Sequence, residues 1–180
     1  PVLHTGDGHK PEDMSDEEAY KVLEEKLSRI LEAAKKNHVK VAIEPHGTFS
    51  LTLAGLKKIM ALGDPDVLGI NYDACNVLRA GYVESGNNKS GWKRMDNAEN
   101  EIDVLKGISD RIVHCHAKDI NTAQQCVAVG SGIVRVADCI AELKSAGYEG
   151  VISVETEGGG SFESIVALAS ESYRYLNAII

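Results

Sequence analysis

Five short β-type runs, separated by longer helical patterns, alternate in the same sense and gather their polar residues at the same end. They are PVLHTG (1–6), VKVAIEPHG (39–47), VLGINYDAC (67–75), RIVHCHAKD (111–119) and GVISVETEG (150–158). Period-two alternation gives one face to Leu3; Val41 and Ile43; Leu68, Ile70 and Tyr72; Val113 and Cys115; and Ile152 and Val154. The opposite face carries His4; Glu44 and His46; Asn71 and Asp73; His114 and His116; and Ser153, Glu155 and Glu157. Strands separated by helices imply right-handed crossovers and a parallel sheet. A doubly wound sheet is covered by helices on both faces and needs near-continuous apolar strands. A one-sided polar face therefore points to a parallel barrel, with the apolar face under its helices and its site at the C-terminal mouth.

The first helix is the clearest. Ser15 and Glu18 form a capping box, and Tyr20, Leu23, Leu27, Ile30, Leu31 and Ala34 recur on one face as far as a stop near Asn37. Weaker helical patterns cover about 50–62, 96–108, 134–146 and 161–178, with Gly63, Gly107 and Gly147 as stops. No linker or low-complexity tract divides residues 1–180, which read as one domain. A closed (β/α)8 barrel takes about 250 residues. The expectation is an incomplete TIM barrel of five βα units, its N-terminal units missing, or a chain whose first and last strands something else covers.

Composition narrows the function. A net charge of −8 and a pI near 5.2 give no clustered positive footprint for nucleic acid or an anionic membrane. No apolar run approaches the ~18 residues that span a bilayer, and PVLHTGDGHK does not read as a signal peptide. Cys75, Cys115, Cys126 and Cys139 lack metal or disulfide spacing and read as reduced thiols of a cytoplasmic protein. The expected partner is a small molecule; the oligomeric state is left open, a homo-oligomer included.

The inward face supplies the chemistry. Glu44, Asp73, His116 and Glu155 come one from each of four successive strands. Three carboxylates gathered without a counter-charge repel and take up protons, whereas a divalent cation keeps them ionised. Three oxygen donors and one imidazole suit Mn²⁺ or Mg²⁺, with Co²⁺, Fe²⁺ or Zn²⁺ as other occupants. His46, two residues beyond Glu44, is placed to meet a substrate hydroxyl or to cap the strand end. His4 and Asn76 border the pocket, and His114, one layer deeper, reads as a satisfied buried imidazole. Lys118 reads either as a contact to a substrate carboxylate or phosphate or as a solvated strand end. Glu157 reads as an acceptor behind the site or a solvated loop residue. The glycines of TEGGGSFES (156–164) and of GSG (130–132) could present N–H groups to a phosphate, the second less well placed than the first.

The runs AIEPHG, NYDACN, VHCHAKD and ISVETEG, in this order and at these spacings, resemble the xylose-isomerase-like TIM-barrel superfamily of sugar phosphate isomerases and epimerases. The likeness covers nearly the whole chain and implies strands four through eight of that barrel. It implies that Glu44, Asp73, His116 and Glu155 bind a single divalent metal, and that Glu44 and Glu155 are the catalytic pair. The implied reaction is proton transfer next to a carbonyl through a metal-stabilised enediolate, on a sugar or polyol. The family's H-x-K-D pattern also favours substrate contact for Lys118. Two positions depart: ketose 3-epimerases carry a His three residues after the metal Asp and an Arg six after the metal His, where this chain has Asn76 and Thr122. The endonuclease branch needs that His and further ligands before the Gly-x-Gly turn, here VAVGSG, so DNA repair is not expected. An inosose-type dehydratase and a non-catalytic metal- or ligand-binding remnant stand as alternatives.

Overall fold

All five runs form strands of one sheet, and their spatial order follows their chain order. The structure, a computed structural model, describes residues 1–85, 91–157 and 160–180. The sheet strands are β1 (Val2–Gly6), β2 (Lys40–Glu44), β3 (Leu68–Asp73), β6 (Ile112–Ala117) and β9 (Ile152–Val154), in the order β1-β2-β3-β6-β9. A doubly wound sheet reverses its order at a switch point. Uninterrupted order is what successive crossovers of the same hand produce in a barrel, and the architecture is that of an incomplete (β/α)8 barrel. Contacts gather the chain into two compact units, Pro1–Tyr72 with Ile108–His114, and Asp73–Gly107 with Cys115–Ile180.

In the first unit, β1 and β2 pair in parallel with His4 opposite Ala42 and Gly6 opposite Glu44, while Val41 and Ile43 of β2 lie opposite Leu68 and Ile70. Helix α1 (Asp16–Lys36) starts at Ser15 with the expected capping box: the Glu18 N–H donates to Ser15 Oγ and the Ser15 N–H to Glu18 Oε2. Its Tyr20, Leu27, Leu31 and Ala34 are buried, as are Leu56, Ile59 and Met60 of α2 (Leu53–Met60) and both faces of β2 at Val41, Ala42 and Ile43. Two expected core residues are exposed, Ile30 at 42% and Leu3 at 54%, while Leu23, Val113, Ile152 and Val154 are half-buried. β1 stands first in the strand order and pairs on one side only, so its outer edge and Leu3 gain no cover among the described residues.

In the second unit, the run expected to continue as strand to Cys75 turns helical instead. Asp73 ends β3 and caps α3 (Ala74–Ala80), its side chain accepting from the Asn76 N–H. Helices α4 (Glu101–Lys106) and α5 (Val136–Ser145) are shorter than their sequence patterns. Val77, Leu78, Ile102, Leu105, Cys139, Ile140 and Leu143 form their buried surface. β6 and β9 pair in parallel, Cys115 opposite Ile152 and Ala117 opposite Val154. Two antiparallel pairs appear that the sequence did not announce, β4 (Tyr82–Ser85) with β5 (Gly91–Arg94) and β7 (Asp119–Ile120) with β8 (Cys126–Val127). The closing helix α6 (Phe162–Ile179) starts at Ser161, which caps Ser164. All four cysteines are free thiols, and no helix among the described residues is long and apolar enough to cross a membrane.

Candidate metal centre and active site

Glu44 ends β2 and is buried. His4 Nδ1 lies 3.3 Å from its Oε2, and Asn71 Nδ2 donates to the same oxygen at 3.5 Å. Beyond it the chain leaves the strand through PHGTFS, where the β-type run is expected to continue to Gly47 and a helix to begin near residue 50. Asp7, from the loop after β1, holds this loop: its Oδ2 accepts from the Phe49 and Ser50 N–H groups at 2.6 and 3.2 Å, and its Oδ1 accepts from the Ser50 hydroxyl. Ser50 Oγ in turn accepts from the N–H groups of His46 and Gly47. A side chain at Gly47 would place its Cβ 1.9 Å from Asp7 Oδ1, so the approach requires glycine. The backbone of His46 is therefore pinned while its side chain is exposed. A concavity of about 600 Å³ in this unit, lined by Pro1, Lys35, His38, Lys40 and Asp64 among others, opens where β1 and β2 begin and takes no part in this chemistry.

The second unit brings together Asp73, His116, Lys118 and Glu155. Lys118 follows directly on β6, and its side chain is only 1% exposed. Its ammonium lies 2.8 Å from Glu155 Oε2, 3.1 Å from Asp73 Oδ2 and 3.4 Å from Glu157 Oε1. His116 Nδ1 stands 3.4 Å from Glu155 Oε2. Glu157 is also 3.4 Å from Arg79, a residue of α3 that the sequence gave no reason to single out. The solvated strand-end reading of Lys118 is thereby corrected: the acidic neighbours supply enough attraction to offset the loss of water around its ammonium.

The electrostatics of the group are uneven. Burial pushes Asp73 up to about 6, against the opposing pull of Lys118 and the Asn76 N–H. Asp73 Oδ2 is buried without an aligned hydrogen bond, although the Lys118 charge is close. The hydrogen bond with His116 and the Lys118 ammonium hold Glu155 well below the ordinary carboxylate range, outweighing its partial burial. Burial alone would lower Lys118; Asp73 and Glu155 reverse that and hold it above its ordinary range. Burial pushes Cys115 up to about 12 and raises Cys75 and Cys139 as well, so these thiols are inert packing.

Next in the chain, Asp119 does something different. Fully buried, it accepts from the N–H groups of Ile120 (2.9 Å), Gly130 (3.0 Å), Gly132 (2.8 Å) and Val134 (3.0 Å). Of the GSG amides considered for a phosphate, those of Gly130 and Gly132 are taken by this carboxylate and that of Ser131 by the Ala128 carbonyl, and a Cβ at Gly132 would lie 2.2 Å from Asp119, so that reading of 130–132 is withdrawn. In the other glycine run, Gly158 and Gly159 lie outside the described residues. His114 is half-buried within β6, and Asn76 is buried in the first turn of α3.

Within the second unit Asp73, His116 and Glu155 each offer one ligand atom, and these atoms all lie within 4.8 Å of one another. The donor set fits a divalent cation: hard carboxylate oxygens, one imidazole, and an Asp73 oxygen that no hydrogen bond satisfies.

The family model described as xylose isomerase-like TIM barrel matches residues 1–179. An uncharacterized protein of Methanocaldococcus jannaschii, MJ1311, is 28% identical over 136 residues, which are 73% of this chain and 41% of that protein. Among solved structures, a D-tagatose 3-epimerase-like protein superposes with a TM-score of 0.74 at 24% identity, covering 99% of this chain and 62% of its own. The IolI protein with a bound zinc atom gives 0.72 at 16%, covering 99% and 64%. Other matches at similar identity include a probable 3-DHS dehydratase from Bacillus anthracis and a mannonate dehydratase from Streptococcus suis. Identities this low speak for the fold alone. The chain spans less than two thirds of the length of each protein compared in detail.

Proposed function

The chain belongs to the xylose isomerase-like TIM-barrel family, and on that premise we propose that it is the metal-bearing part of a sugar or polyol isomerase or epimerase. The observation that carries the reading is the convergence of Asp73, His116 and Glu155, which, together with Glu44, we assign as ligands of one divalent cation. Mn²⁺ or Mg²⁺ suits the oxygen-rich set, and the zinc in the IolI structure supports a divalent ion on this fold. Bound there, the cation supplies Lewis acidity toward a substrate oxygen.

Proton transfer at the carbon beside the carbonyl falls to Glu44 and Glu155. Glu155, held low by His116 and Lys118, is a weak base and acts only on an acidified carbon. His46, on its pinned loop, and His4, beside Glu44, are the proposed contacts to substrate hydroxyls, with Asn76 and Lys118 bordering the pocket. We further propose that additional βα units enclose the pocket in the whole protein.

A dehydratase on the same scaffold is the second reading. It is favoured by Asn76 and Thr122, which stand where ketose 3-epimerases carry His and Arg, and by the dehydratases among the structural matches. Incubating a chain extended to a closed barrel with Mn²⁺ in deuterated water, with ketoses and with a keto-inositol, separates the two. Deuterium entering beside the carbonyl without loss of water supports the isomerase, and loss of water supports the dehydratase. Metal binding with neither would leave a non-catalytic remnant and overturn both enzymes. In the active extended protein, Glu44→Gln and Glu155→Gln should each lower turnover by about 100-fold or more with the fold intact.

A further inference from the structure

We infer that Lys118 is a fixed internal cation that competes with a divalent ion for Asp73 and Glu155, and so sets how tightly the cluster holds metal. The inference rests on the reading of the cluster as a metal site. Its basis is geometric. Lys118 reaches two of the four assigned ligands at once, 2.8 Å to Glu155 and 3.1 Å to Asp73, from a side chain that is 1% exposed.

The ammonium has little freedom to leave. Ala117, immediately before it, accepts the Glu155 N–H in the ladder between β6 and β9. Asp119, immediately after it, is held by four backbone N–H groups. On the remaining side Glu157 lies 3.4 Å away and is itself paired with Arg79. Asp73 has no spare oxygen, because Oδ1 accepts from the Asn76 N–H and Oδ2 faces Lys118. A metal drawing on Asp73 and Glu155 must therefore share their charge with a cation that cannot retreat into water. Two cations drawing on the same carboxylates weaken each other's hold, most strongly where water is excluded.

This role differs from a contact to substrate. A lysine that only grips substrate leaves metal affinity unchanged when removed, and its loss appears in substrate binding. A competing cation shows its effect with no substrate present. Removing it should tighten metal binding, and should also leave the buried carboxylates without a counter-charge when metal is withheld.

The test uses residues 1–180 as wild type, Lys118→Met and Lys118→Gln, titrated with Mn²⁺ at one fixed pH by calorimetry and by the loss of the free-ion spin-resonance signal. Each protein is also unfolded in urea, once in EDTA and once with Mn²⁺. Both variants should bind Mn²⁺ about tenfold or more tightly than wild type, because the repulsion between two cations is removed. Both should have lower urea midpoints in EDTA, with the difference closing when Mn²⁺ is present. Unfolding of both variants in EDTA that Mn²⁺ reverses is the same result in stronger form. Wild type that binds Mn²⁺, with variants that bind equally or more weakly, overturns the competition alone. Failure of all three proteins to bind overturns the metal site and the competition together. Variants that stay unfolded whatever the Mn²⁺ concentration overturn the competition as well.

Discussion

Asp73 and Asp119 are both fully buried carboxylates of the second unit, and they are satisfied in opposite ways. Asp119 accepts four backbone N–H groups and fixes the loop from Ile120 to Val134. Asp73 accepts one N–H, from Asn76, and its other oxygen lies against a lysine shared with two glutamates. Burial with complete hydrogen bonding is what a structural carboxylate needs. Burial with an oxygen that meets only a shared ammonium is costly to the fold, and such residues are candidates for a functional role. The contrast separates a residue that builds the scaffold from one proposed to work on it, although both carry the same side chain.

Substitution should break the comparison most sharply at Asp119. Asp119→Ala strands up to four buried N–H groups and should cost about 3–5 kcal/mol in urea unfolding. A loss under about 1 kcal/mol would show that water replaces the carboxylate and that the clamp is dispensable. Asp73→Asn should do the reverse. It keeps an oxygen for the Asn76 N–H and removes a charge that burial disfavours, so stability should change by less than about 1 kcal/mol. Mn²⁺ affinity should fall about 100-fold, measured by calorimetry.

A smaller effect sharpens the contrast through pH. The folded chain holds the Asp73 proton up to about 6, against an ordinary value of 3.8, so folding is favoured by this group at low pH. That contribution is lost as pH rises from about 4 through about 6. Glu155 runs the other way: its contribution is present above its ordinary value of 4.5 and is lost only as pH falls well below that. Urea midpoints measured in EDTA across this window should therefore fall with rising pH in wild type, and Asp73→Asn should flatten the profile. An unchanged slope in that variant would assign the dependence elsewhere. The smallest effect is expected at the edge of the first unit. Leu3→Lys should shift stability by less than about 0.5 kcal/mol while reducing self-association in light scattering, because Leu3 lies on the exposed β1.

Why the sequence showed one carboxylate and hid the other follows from where their partners lie. Asp73 belongs to a repeating pattern: Glu44, His116 and Glu155 occupy the matching end of three other strands, and period-two alternation is visible in a row of letters. The same alternation identified the five strands, and the helical patterns between them their parallel sense. Asp119 has no such signature, because three of its donors lie 11 to 15 residues further on in an irregular loop. Asp7 was missed for the same reason, its partners being 42 and 43 residues away. Helix α3 was hidden by the residue that found the site, since an aspartate at a strand end is equally a helix cap. The burial of Lys118 depends on carboxylates from two other segments, and no local pattern encodes that. Leu3 shows the converse: its alternation was legible, but exposure depends on what covers the strand.

Asp73 is at once the last residue of a strand, the cap of a helix and a candidate ligand. Its Oδ1 receives the Asn76 N–H, so any change in the electron density or position of this carboxylate is passed directly to one amide at the start of α3. Occupancy of the proposed centre is then readable without substrate or turnover. The nitrogen resonance of a single backbone amide, and the rate at which it exchanges its hydrogen with solvent, become a gauge of what the carboxylate holds.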